Sequence, residues 1–554
     1  MTRRPLLALA PAVLLLACPD RPALDTPDST ASSTGESTDA TPSTAGPTTD
    51  TPTGTTTPTT SSTSPTDTTD TTDATDTTAT ASTATSPTDA TTTTDATTAG
   101  LTATDTGSST TGDPPPAKEC PPCDQLIALD GPIEIDPITD LSQFGCLGTV
   151  SGHITISGDL SAEQLAPLCH LHTVTGSLDI RENAVLTDLT PFAAVESVGF
   201  LQLWELPALT AVAGMTGLKD ASHSLIYKTG AKTLGSFAPD FKGIEYLRIE
   251  SNAALADLSA LAAWGLIGNI PTIDIRDSAA LTDLSSLAEL FAAAGSSFRF
   301  NLQNAPALTS LAGLEAASKG HYQLAELPLI TDLQPLSTVT TLGSLRLRDI
   351  PLKNLAGLGS LQLAGLGLEA MPLLTSLDGL GPLTSGEVEL IHLPKLTSLQ
   401  GLESWTTGSL LLIDLPLVPS LAPLGAYTGG PWIQIYGLPL VPSLTGLDKL
   451  QSAQTLMIGD CLDGGTQGMA SLTSLKGLGS LTTVGELLIT NSPKLTSLAG
   501  PDKLGAVTER LAIVNTPKLP QAAFDAFVAQ VVEPEMSCFG DWGICDCTGP
   551  GAPP

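Results

Sequence analysis

GELLITNSPKLTSLAG, residues 485–500, is the stretch whose reading decides the fold of this 554-residue chain. Leu487 and Ile489 alternate with residues pointing the other way, which is strand periodicity. Asn491-Ser492-Pro493 then ends the strand, because proline removes a ladder donor and small polar side chains bond nearby backbone. Leu495 and Leu498 follow three residues apart and turn the chain back over the same core.

Working outward, the phrase recurs from about residue 154 onward. Taking the second inward strand residue as an anchor gives Ile156, Ile180, Leu203, Ile226, Ile249, Ile275, Leu302, Leu324, Leu347, Leu368, Leu390, Leu412, Ile435, Ile458, Ile489 and Ile513. Most intervals are 21–27 residues; the step from Ile458 to Ile489 is longer because DCLDGGTQGM is inserted. Ile226 is the least regular rung, since SHSLIYKTGAKT lacks the usual turn and leucine pattern. Six residues beyond most anchors stands another aliphatic, among them Leu186, Leu209, Leu281, Leu396 and Leu495. A period of this length with one strand per unit predicts a mainly β, parallel β-solenoid with short helical turns, whose rungs bury their leucines only by stacking. At strand spacings of about 4.7–4.9 Å, some fifteen rungs extend roughly 70 Å. ALADLSALAAWG (254–265) and LTDLSSLAELFAAAG (281–295) predict a helical turn or two on the return side. Pro520 followed by Phe524, Phe527, Val528 and Val531 predicts a helix capping the last rung.

Ahead of the repeats the chain changes character twice. Arg3-Arg4 and the apolar run Leu6–Ala17 have the charged and hydrophobic regions of an export signal, too short to span a bilayer. The run ends in Leu15-Leu16-Ala17-Cys18, which resembles the bacterial lipoprotein lipobox. That resemblance implies residues 1–18 as a signal peptide, cleavage before Cys18, lipid (palmitate) on Cys18, and an outer-membrane address, since Pro19-Asp20 differs from the inner-membrane retention signal. The alternative is an ordinary signal peptide with an incidental cysteine. Residues 19–115 are almost entirely Thr, Ser, Asp, Ala, Pro and Gly. Too few apolar side chains are present to offset the entropy of ordering, so a disordered tether is expected. Its Thr/Ser density makes O-glycosylation chemically feasible. A Cys-containing N-terminal cap with the first rungs is expected over 116–175, repeats over 176–519, and a C-terminal helix and Cys-containing cap over 520–554.

GSLDIRENAVLTDLTPF (176–192), GSLLLIDLPLVPSLAPL (408–424) and the opening stretch resemble the receptor L-domain repeat, a leucine-rich unit of receptor ectodomains and of bacterial surface proteins, which implies a right-handed parallel β-solenoid. The resemblance spans about residues 145–520 and implies extracellular recognition without catalysis. One long array without an intervening cysteine-rich module departs from the receptors, so hormone binding does not transfer. The asparagine of ordinary leucine-rich repeats appears only at Asn183, Asn252, Asn491 and Asn515.

Lys and Arg number 23 against 57 Asp and Glu, and a net charge of −34 disfavours nucleic acid. Eight cysteines remain beside Cys18, an even count that favours disulfides in an exported chain. Cys120, Cys123, Cys146 and Cys169 lie at one end; Cys538, Cys545 and Cys547, with Cys461 from the insertion, lie near the other. Two disulfides at each end are expected, with connectivity open. Cys120-x-x-Cys123 without a second pair is a poor metal or redox motif, so no metal and no cofactor are expected.

Outward strand positions are where such a solenoid would bind a partner. The first half of that ladder is polar and the second half apolar, which makes Leu411, Ile413, Tyr436, Met457 and Leu488 candidates for an exposed partner or dimer patch, unless flanking loops cover them as core. Trp204 and Tyr227, with Gln202, could stack a sugar or simply pack. Arg248 beside Asp274 and Glu250 beside Arg276 read as ion pairs between neighbouring rungs. No phosphate loop, HExxH or nucleophile elbow is present, and Asp460 with Asp463 lacks an EF-hand's other carboxylates. The sequence reads as a lipid-anchored, stalked, non-catalytic surface scaffold for a protein or glycan. Its alternatives are an envelope coat component and, further off, a polysaccharide-active enzyme.

Overall fold

A computed structural model describes residues 120 and 122–540, apart from 295–296, 317, 461–467 and 532–535. Cys18, Cys461, Cys545 and Cys547 lie outside the described residues. A 20-stranded sheet dominates the body, and its strand pairings are parallel. The sixteen anchors fall into one unbroken register column: Ile156 pairs with Ile180, Ile180 with Leu203, and so on to Ile489 with Ile513. Ile135 and Phe539 extend the column by a rung at each end, so the sheet runs roughly 80 Å at the usual strand spacing. The irregular rung at Ile226 is in register with both neighbours. The inserted residues after Ile458 are accommodated without shifting the strands on either side, since Ile458 still pairs with Ile489.

One continuous hydrophobic cluster fills the coil, combining the anchors with the leucines of the return segments such as Leu186, Leu209, Leu308, Leu396 and Leu495, all buried. Burying each contributes about 1.5–3 kcal/mol before entropy is subtracted, and no single rung could achieve it alone. Short helices stand where the longer apolar runs predict them, at Ala260–Trp264 and Ala288–Ala293. The helix Gln521–Gln530 follows Pro520 and buries Phe524 and Phe527. It does not end the structure, however. A further strand, Met536–Gly540, pairs with Ala506–Val514 beyond it, and Phe539 stacks on Phe524 with ring centroids 4.9 Å apart.

Most rungs leave the sheet through a residue with left-handed backbone, a glycine at Gly158, Gly437 and Gly459 and another residue elsewhere. Glu182, Glu205, Lys228, Ser251, Asp277, Asn304, Glu326, Asp349, Ala370, His392, Asp414, Asn491 and Asn515 all have φ near +50°. Glycine is the usual tenant of this region, so sequence alone does not announce the turn. Stacking offsets the strain: each N–H donates to a carbonyl of the next rung, as from Glu182 to Trp204, Glu205 to Tyr227, Lys228 to Glu250 and Ala370 to Ile391. Asn183 and Asn252 point into the coil and are fully buried. The Asn252 carboxamide oxygen accepts from Thr229 N–H (2.9 Å) and Thr229 Oγ1 (2.7 Å), while its nitrogen donates to the Ile226 carbonyl (2.8 Å).

At the N-terminal end, Cys120 bonds Cys169 and Cys123 bonds Cys146, which matches the two staples expected there. Cys538 is also disulfide-bonded, its partner outside the described residues. Inside the coil, Tyr322 is packed among Phe291, Phe298 and Phe300, and its hydroxyl has no hydrogen-bond partner among the described residues. Burial pushes that phenol well above its ordinary pKa. Tyr322→Phe should therefore raise stability by about 1 kcal/mol, read as a higher urea midpoint, because it removes a buried polar group that nothing satisfies.

Candidate functional site

The anchors and their partners two residues earlier face inward, so the alternating residues of each strand form an outer face. Expected ion pairs between neighbouring rungs give way there to pairs along single strands. Arg248 bonds Glu250 at 2.6 Å and Arg276 bonds Asp274 at 2.9 Å, and Arg181 likewise bonds Asp179. Residues i and i+2 share a face, and an arginine reaches the nearer carboxylate by lying along its own strand. Arg348 does pair across rungs, with Glu326 at 2.7 Å. Gly367 offers no side chain between Arg346 and Glu389, which lets Arg346 span two rungs to Glu387 (2.6 Å) and Glu389 (2.8 Å).

The apolar patch expected at Leu411, Ile413, Tyr436, Met457 and Leu488 is not exposed as such. Leu411, Ile413, Met457 and Leu488 are 3–8% exposed, and Tyr436 is half-buried. Met457 and Leu488 pack with Ala512 and Val514 as a second, smaller apolar cluster on the outer face, with Cys538 against it. Apolar side chains repeated on adjacent strands sit close enough to shield one another. The Gln434 amide lies 3.4 Å from the Met457 sulfur. Met457 and Leu488 are thus brought together as packing, whereas Leu411 is buried between Glu389 and Gln434 of the neighbouring strands.

Trp204 and Tyr227 are brought together at the surface. Their ring centroids are 4.0 Å apart with the planes at 35°, and Trp204 is 37% exposed. Lys228 stands 4.9 Å above the Tyr227 ring and bonds Glu205 at 2.9 Å. The Glu205 carboxylate, with Tyr227 beside it, holds the ammonium above its ordinary pKa. A shallow open depression lined by Glu182, Ala184, Glu205, Pro207 and Lys228 borders this pair.

Three neighbouring residues belong to the same surface and were not singled out from the sequence. The strands Ser197–Trp204, His223–Tyr227 and Tyr246–Glu250 lie side by side. Their outer residues are Phe200, Gln202 and Trp204, then His223, Leu225 and Tyr227, then Tyr246, Arg248 and Glu250. His223 and Tyr246 stack with centroids 6.5 Å apart. Phe200, His223 and Tyr246 occupy the first outward position of each strand, whereas reading around the anchor attends to the second and third. The concentration of aromatics in SVGFLQLW, SHSLIYK and EYLRIE is the signal that could have found them. A second surface of the same grammar, Trp432, Gln434 and Tyr436, lies on the strand Gly429–Tyr436.

No enclosed polar cavity accompanies these surfaces among the described residues. Cys120, Cys169 and His170 lie close together, but both sulfurs are spent in disulfide bonds, so this is no metal centre. No helix among the described residues is long and apolar enough to cross a membrane.

No family model matches the chain, and no curated protein matches it in sequence. Among solved structures, an internalin from Listeria monocytogenes is similar over 64% of this chain and 85% of that one, at 15% identity and a TM-score of 0.26. The class of the fold, a leucine-rich parallel β-solenoid, stands on this chain's own strand register.

Proposed function

We propose that this protein is a non-catalytic recognition scaffold, held to the outer membrane by lipid on Cys18, displayed at the cell surface on the tether of residues 19–115, and binding a protein or glycan through the outer face of its sheet. The observation that carries the proposal is the division of labour in each strand. Inward residues build one continuous core, while outward residues vary freely from rung to rung. Such a face offers a long, open contact surface, and nothing on it converges as nucleophile, general base and oxyanion donors would have to.

The test of address uses the full-length chain in its own cells. Metabolic palmitate labelling should mark the wild type, and Cys18→Ser should remove both the label and membrane partitioning. Protease added to intact cells should release the body by cutting the tether. A chain that is cut only after the outer membrane is permeabilised would refute surface display.

A further inference from the structure

Nine Trp and Tyr residues lie in the described body, and four of them, Trp264, Tyr322, Trp405 and Tyr427, are buried in the core. The other five all face outward, and three of these, Trp204, Tyr227 and Tyr246, sit on three consecutive strands together with Phe200 and His223. Two aromatic rails result, Phe200–His223–Tyr246 and Trp204–Tyr227, running along the solenoid axis. Between them lies a floor of Gln202, Leu225 and Arg248.

We propose that this trough binds an uncharged polysaccharide lying along the solenoid axis, one sugar per rung. The inference rests on the recognition reading above and names its ligand class. Three observations favour this occupant over an extended peptide. The first is spacing. Neighbouring strands stand about 4.7–4.9 Å apart, close to the advance of one pyranose in an extended polysaccharide, whereas a peptide strand advances only about 3.3 Å per residue and falls out of step within two rungs.

The second is the chemistry of floor and rails. The Gln202 amide makes no hydrogen bond among the described residues, and the Arg248 guanidinium is oriented by Glu250 at 2.6 Å. Both can donate to hydroxyls, and Gln202 can also accept. The Trp204 ring packs on Tyr227 on one side, and its neighbour on the preceding strand is Arg181, which bonds Asp179. Trp204, 37% exposed, thus has ring surface for the apolar face of a sugar.

The third is charge. The ionic groups flanking the trough are paired internally, Lys228 with Glu205 and Arg248 with Glu250, and the whole chain carries −34. An acidic glycan would be repelled, since Lys228, Arg248 and Arg181 each already have a carboxylate partner.

Intact protein, wild type and variants, would be titrated with cellohexaose, laminarihexaose and β-mannohexaose, with hexagalacturonate as the charged counterpart, by calorimetry and tryptophan fluorescence. At least one neutral hexasaccharide is expected to bind, more tightly than hexagalacturonate. Trp204→Ala and Tyr246→Ala should each weaken binding up to about tenfold, and Leu440→Ala, exposed on a distant turn, should leave it unchanged. Unaltered circular dichroism would show that each variant is folded. Absence of binding by all three neutral sugars at about 1 mM overturns the proposal, as does binding indifferent to Trp204→Ala. If no sugar binds but a protein captured from outer-membrane extract is lost with Trp204→Ala, the trough docks a protein: the ligand class is then wrong while the recognition scaffold stands.

Discussion

Gly408→Ala should destabilise the body by about 3 kcal/mol or more, with loss of the near-ultraviolet dichroism of its buried tryptophan. Gly408 has φ +135°, and a Cβ there would lie 1.5 Å from the Gly386 carbonyl oxygen on the preceding rung. That contact is with backbone, so no side chain can yield. The same oxygen accepts the indole N–H of Trp405 at 3.2 Å, and the Gly408 carbonyl accepts the Tyr427 hydroxyl at 2.8 Å. Trp405 and Tyr427 are fully buried and stack nearly parallel, 4.3 Å apart. Displacing Gly408 therefore disturbs two rungs and the aromatic pair between them. Gly359→Ala is the control. Gly359 is exposed, its φ lies outside the left-handed region, and the nearest atom to an added Cβ is 3.9 Å away, so it should be tolerated. Equal urea midpoints for the two variants would refute the close-approach argument.

Asn252→Ala should cost about 2–4 kcal/mol. The side chain is fully buried and satisfies Thr229 N–H, Thr229 Oγ1 and the Ile226 carbonyl from the rung before. Alanine would remove the partner of two donors and an acceptor in an apolar interior, where an unsatisfied polar group carries the cost of its desolvation. Because a solenoid rung interacts only with its neighbours, the damage should stay local. Amide exchange should accelerate at Thr229 and along His223–Tyr227 and Tyr246–Glu250, while rungs beyond residue 400 keep their protection. Uniform acceleration along the whole body would contradict nearest-neighbour coupling.

The inward half of this protein was legible in its sequence and the outward half was not. Burial leaves a periodic mark, so the spine of aliphatics from Ile156 to Ile513 could be read even at the irregular rung of Ile226. The outer face leaves none. Met457 and Leu488 look like a contact surface in the sequence, yet lateral shielding makes them packing. Phe200, His223 and Tyr246 look incidental, yet register aligns them into a rail, and register appears only when strands are set side by side. The left-handed turn residues escaped notice for a related reason. Glu, Lys, Ala and His tolerate φ near +50° here because a neighbouring rung supplies the compensating bond. The final strand, Met536–Gly540, carries no leucine signature and follows a helix that reads as a natural terminus.

The disulfide between Cys120 and Cys169 also has a mechanical meaning. On the proposed anchoring through residues 19–115, tension would enter the body at its first strands, and a stack of parallel strands pulled from one end peels one strand at a time, the mode in which hydrogen bonds resist least. The bridge spans 49 residues and delivers the load directly to Cys169, leaving the terminal strands slack inside a covalent loop. Peeling would have to begin at the long strand Thr173–Arg181, whose two segments pair with two different predecessors. Under the proposed function, one pair of sulfur atoms would give the body a reinforced point of attachment.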